Sequence, residues 1–136
     1  MLCGSHPSIS SPLIKKTIMK LNSKVHGLID YIFVILLLSS PTLFGLPMMT
    51  SNFIYALGII HLLLTVITNF EFGLIKVVPF KIHGVIELLV AILLFPIAFY
   101  MGNMEGELSR NFIMGVGVAV FLTWLISDYK KNTTAT

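Results

Sequence analysis

The chain has 136 residues, of which 56% are apolar and 11% charged, with a mean hydropathy of +0.93 and a formal net charge of +3. A soluble domain carries about 25% charged residues, so these figures exclude an ordinary water-soluble globule, and the length permits a single domain. The basic residues flank apolar runs and form no stripe with interleaved aromatics, which excludes nucleic acid as an expected partner; the lone Cys3 offers neither a disulfide framework nor a thiolate metal site.

Residues 1–20 mix Ser, Pro and Lys and read as a flexible cytoplasmic N-terminal extension, leaving 21–136 as a transmembrane domain. The hydrocarbon layer, about 30 Å thick, takes roughly 17–25 apolar residues of helix. Runs at 25–46, 53–70, 82–101 and 111–127 meet that requirement, and 31–70 holds no Asp, Glu, Lys or Arg at all. The runs are continuous and do not alternate, so they are helices and not barrel strands. Short connectors at 47–52 and 102–110 fold the four spans into two hairpins, joined through 71–81, with neighbours antiparallel. The expected fold is all-α, a four-helix transmembrane bundle. Lys15, Lys16, Lys20, Lys24, Lys76, Lys81, Lys130 and Lys131 fall on one side against Arg110 on the other, which places both termini in the cytoplasm.

The chain also repeats itself. Lys24-Val-His-Gly-Leu-Ile-Asp30 returns as Lys81-Ile-His-Gly-Val-Ile-Glu87, and the hairpins close similarly, on Thr68-Asn69-Phe70 and Ser127-Asp128-Tyr129. Two parallel repeats, 24–70 and 81–129, related by an axis along the membrane normal, account for this pattern.

Ser40-Pro41-Thr42-Leu43-Phe44-Gly45, following His26-Gly-Leu-Ile-Asp30, resembles the SPW-repeat small membrane proteins, whose two-helix unit carries a Ser-Pro-Trp motif; here Thr42 stands where the Trp would be, and the second copy has Phe95-Pro96-Ile97. The segment Gly84-Val-Ile-Glu87 through Phe95-Pro96 is similar to the Gly-x-x-Glu region of DoxX-like four-helix membrane proteins. Either resemblance implies a small multi-pass protein of the bacterial inner membrane. Neither supplies a catalytic residue to carry over.

His26 with Asp30, and His83 with Glu87, are four apart and share a helix face. Each carboxyl lies six residues, roughly 9 Å, beyond its Lys. At that depth a carboxylate costs at least about 2.5–3.5 kcal/mol, so both are expected to face inward and to find partners, first of all the histidine of the same repeat. His61, Thr65 and Asn69 extend the stripe on the second helix, and Asn111, Gly115, Ala119, Thr123 and Ser127 on the fourth, with Gly115 and Ala119 set for close helix approach. A polar cluster open or nearly open to the cytoplasm is the expected result.

Three uses of that cluster stay open. It could be a hydrogen-bonded network that fixes helix register in a structural or accessory subunit or homo-oligomer, with no cofactor. It could be a proton-linked or small-solute site built on His26, Asp30, His83, Glu87, His61, Thr65 and Asn69. It could hold a divalent metal, with His26, Asp30, His83 and Glu87 as ligands, or a haem between His26 and His83. No phosphate loop, nucleophile elbow or zinc-protease motif occurs in the sequence, so an enzyme is not expected. The expected partners are the lipid bilayer and further copies or subunits of a membrane complex.

Overall fold

The computed structural model describes residues 20–130; the extension assigned to 1–20 lies outside them, apart from Lys20. Four helices follow one another: α1 (Ser23–Phe44), α2 (Met48–Ile67), α3 (Phe80–Glu105) and α4 (Glu107–Ile126). All four are long and apolar enough to cross a bilayer, and the chain is a multi-pass membrane protein. A helix satisfies its own backbone where no water is available. The outward side chains, such as Ile35, Leu43, Leu89 and Phe99, are exposed apolar groups suited to acyl chains.

The turns are shorter than the sequence implies. Only residues 45–47 separate α1 from α2, and Gly106 alone separates α3 from α4, so polar residues assigned to connectors extend the helices instead. Pro47 provides no side-chain cap for α2. Glu105, at the end of α3, supplies it: its carboxylate accepts from Met49 N (2.7 Å), Thr50 N (2.7 Å) and Thr50 Oγ1 (2.6 Å). This satisfies donors that a helix N-terminus otherwise leaves free and ties the two hairpins together at the end far from the lysines.

At the lysine-bearing end the ties are backbone pairs. Strand β1 (Thr68–Asn69), leaving α2, pairs in parallel with β2 (Val78–Pro79), entering α3. Ser127, leaving α4, forms a parallel bridge with Leu21, which precedes α1. The exit of each hairpin thus clasps the entrance of the other.

Between these ends lies an aliphatic core of Leu37, Ile54, Ala91, Leu94, Ala98, Ile113, Val116 and Val120. It corrects the face expected of the fourth helix. The buried residues of α4 are Ser109, Ile113, Val116, Gly117 and Val120, whereas Asn111 and Gly115 are exposed. A methyl group at Gly115 would meet nothing within 4 Å, but one at Gly117 would lie 3.2 Å from Leu94. Close approach therefore occurs at Gly117 and not along the Gly115/Ala119 stripe: filling space against Leu94 and Ala91 outweighs the placement of weakly polar small residues inside.

Candidate metal centre

His26 and His83 are each the fourth residue of their helix, and Asp30 and Glu87 lie one turn deeper. All four side chains are buried, at 0%, 0%, 1% and 3% exposure for His26, His83, Asp30 and Glu87. One potential ligand atom from each lies within 4.8 Å of the others.

The pairing crosses between the hairpins. His26 Nε2 is 3.4 Å from Asp30 Oδ2 and 3.5 Å from Glu87 Oε2; His83 Nε2 is 3.3 Å from Asp30 Oδ2 and 3.8 Å from Glu87 Oε1. The shortest contact joins His83 to Asp30, so the carboxyls are shared and not confined to their own repeat. His61, from α2, brings Nε2 to 3.6 Å from Asp30 Oδ1. None of the three Nε2 atoms, nor Asp30 Oδ2, has a hydrogen-bond partner among the described residues.

The other face of each ring is firmly held. His26 Nδ1 is 2.6 Å from Ser127 Oγ, and that hydroxyl donates its one hydrogen to the Thr123 carbonyl. His83 Nδ1 is 2.9 Å from Thr68 Oγ1, whose hydrogen goes to the Leu64 carbonyl. A hydroxyl that has spent its hydrogen can only accept, so both Nδ1 atoms carry the proton and donate. This network assigns the tautomer: in the neutral ring, Nε2 presents a lone pair to the centre.

Thr68 and Ser127 reach these positions because α2 and α4 end one residue earlier, at Ile67 and Ile126. The caps turn extended, which breaks the four-residue stripe. Asn69, expected in the cluster, is consequently exposed. Thr65 is buried, but its hydroxyl donates to the His61 carbonyl of its own helix and does not reach the acids.

The cluster is closed towards the lysines, contrary to the expectation of an opening there. Phe80 packs edge-on to His26 with centroids 5.2 Å apart, Tyr129 lies 5.5 Å from His26 and 4.9 Å from Phe80, and Phe70 lies 6.3 Å from Phe80. These rings need the glycines that follow the histidines. A methyl group at Gly27 would sit 1.9 Å from Phe70, and one at Gly84 would sit 2.7 Å from Tyr129.

Tyr129 does more than the interfacial anchoring that its place in the sequence implies, since its hydroxyl donates to Glu87 Oε2. Burial, reinforced by the neighbouring Glu87 charge, pushes the phenol well above its usual range, so it remains a donor. Phe70, which stands where Tyr129 does in the other hairpin's closing triplet, has no hydroxyl. Asp30 accordingly lacks the support that Glu87 receives.

Donor atoms about 2.0–2.2 Å from a tetrahedrally coordinated ion stand about 3.3–3.6 Å from each other. Three of the four His–carboxylate separations, at 3.3–3.5 Å, fall in that range and the fourth, at 3.8 Å, lies just beyond it; all exceed the 2.7–2.9 Å typical of a charge-assisted hydrogen bond. A haem does not fit between His26 and His83: the rings are T-shaped at 5.4 Å, and Asp30 and Glu87 fill the space that a macrocycle would need. Comparisons with family profiles, curated proteins and solved structures give no match to this chain.

Proposed function

We propose that this protein is a metal-binding membrane protein in which His26, Asp30, His83 and Glu87 hold one divalent first-row transition-metal ion. One observation carries the reading: the unpartnered Nε2 atoms of His26 and His83 converge with the unpartnered Asp30 Oδ2 and with the Glu87 carboxylate, while each histidine's Nδ1 proton is fixed on a hydroxyl. That is the outer-shell arrangement that orients imidazole ligands for a metal. Two neutral imidazoles and two carboxylates suit zinc, manganese or iron.

Electrostatics favours the same reading. Two ionised carboxylates with neutral imidazoles carry two negative charges, which is costly inside a membrane. A divalent cation held between the two carboxylates cancels both charges. Beyond the centre, Leu37, Ile54, Leu94 and Ile113 are at most 2% exposed and block the far half, so the ion is a resident cofactor and not a cargo in transit.

In this reading the protein lies in a bacterial inner membrane with its lysine-bearing end in the cytoplasm, and its two hairpins descend from one duplicated unit. The reciprocal clasps Thr68↔Val78 and Ser127↔Leu21 and the reciprocal His26–Ser127 and His83–Thr68 bonds support that descent.

Metal analysis of detergent-purified protein tests the proposal. It expects about one transition-metal ion per chain, lost in the His26→Ala plus His83→Ala variant while the protein stays folded. Metal-free protein that resists loading would instead make the cluster a proton-bonded structural network.

A further inference from the structure

Resting on that metal centre, the geometry points to a position for an exogenous ligand on its His61 side, reached from the lipid phase and sized for a small neutral diatomic gas. Two cavities adjoin the centre there. The inner one, about 10 Å³, is bounded by polar Asp30, His61, Glu87 and Thr123 among others. The outer one, about 30 Å³, shares Phe33, His61, Glu87 and Val120 with it and is otherwise aliphatic. Its wall includes Ile60, which is 61% exposed, so it opens between α2 and α3 towards the acyl chains.

The three approaches to the centre differ in kind. The lysine side is closed by Phe70, Phe80 and Tyr129, and the far side by buried aliphatic residues. The remaining route is apolar along its length and ends at His61 Nε2 and the carboxyls. A hydrated anion meets two obstacles on this route: it must shed its water, and it would add negative charge to a centre that the ion has just neutralised. A neutral diatomic molecule meets neither. Such gases partition into hydrocarbon, and voids of about 30 and 10 Å³ favour a ligand of very few atoms over a bulky one. Four protein donors leave ferrous iron room for another ligand, and His61 stands beside that position, 3.6 Å from Asp30 Oδ1.

The probe is nitric oxide on the full chain loaded anaerobically with Fe(II) in lipid nanodiscs, read by electron paramagnetic resonance, with azide as the anionic control. Nitric oxide is expected to give the half-integer-spin signal of a non-haem iron nitrosyl, and excess azide added beforehand is expected to leave that signal undiminished. Val90→Phe, which fills the outer cavity, should slow nitrosylation at least tenfold with iron stoichiometry intact; Leu57→Phe plugs the same route from α2 and covers the case in which Val90→Phe misfolds. Iron-loaded protein that gives no nitrosyl signal, loses that signal to azide, or reacts at unchanged rate in both plugged variants overturns this inference and leaves the metal centre standing. Failure to bind iron, zinc or manganese overturns both.

Discussion

The two halves of the bundle are built from the same four helices but end differently. In the far half, every polar group that closes the structure has a partner: the Glu105 carboxylate takes three donors, and the Thr50 and Ser109 hydroxyls lie 2.7 Å apart. The side chains between are aliphatic and tightly packed. In the lysine-side half, equally buried groups converge with four polar atoms unpartnered. Buried polar atoms are ordinarily satisfied, and the fold shows at the buried Thr50 and Ser109 hydroxyls that it can do so. The exception is therefore a property of the lysine-side centre, and it is the observation on which the proposed metal site rests.

Substitutions in the two halves should separate accordingly. The largest effect belongs to His26→Ala plus His83→Ala: metal affinity falls by a hundredfold or more, and added metal no longer raises thermal stability. Leu94→Ala, in the far half, should do the reverse. Its packing cavity costs about 2 kcal/mol, read by denaturation in detergent, while metal stoichiometry is retained. A loss of metal in Leu94→Ala equal to that in the histidine variant would break the distinction between the halves.

Ser127→Ala and Thr68→Val sharpen it. Each removes the acceptor for one Nδ1 proton without touching a ligand atom, and each should weaken metal binding about 10–100-fold, measured by competition with a chelator. The smallest effect is expected from Glu105→Gln, which weakens the bonds capping α2. It should lower stability slightly and leave metal affinity unchanged.

The fold and the heart of the centre were legible in the sequence because both rest on strong signals. Long uncharged runs specify membrane helices, and His26/Asp30 and His83/Glu87 at helical spacing, well past a lysine, specify inward-facing polar groups. Residues beyond the helix ends were harder to place. Asn69 fits the stripe of His61 and Thr65 only if α2 continues, and the chain turns extended at Thr68, which takes over the inward position. The matching triplets Thr68-Asn69-Phe70 and Ser127-Asp128-Tyr129 did carry that information, since their first members bind the histidines and their third members cover the glycines. The α4 face was misread because Gly115 and Ala119 satisfy a small-residue pattern that Gly117 satisfies better against Leu94. Closure of the site by Phe70, Phe80 and Tyr129 depends on ring placement across three elements, which residue spacing does not encode.

X-ray absorption at the metal edge of the loaded protein reads the central claim directly. The account predicts an ion surrounded by two imidazole nitrogens and carboxylate oxygens at about 2.0–2.2 Å, with the imidazole outer-shell scattering lost when His26 and His83 are replaced. A bound ion whose spectrum shows no imidazole, or is unaltered by those replacements, would contradict it.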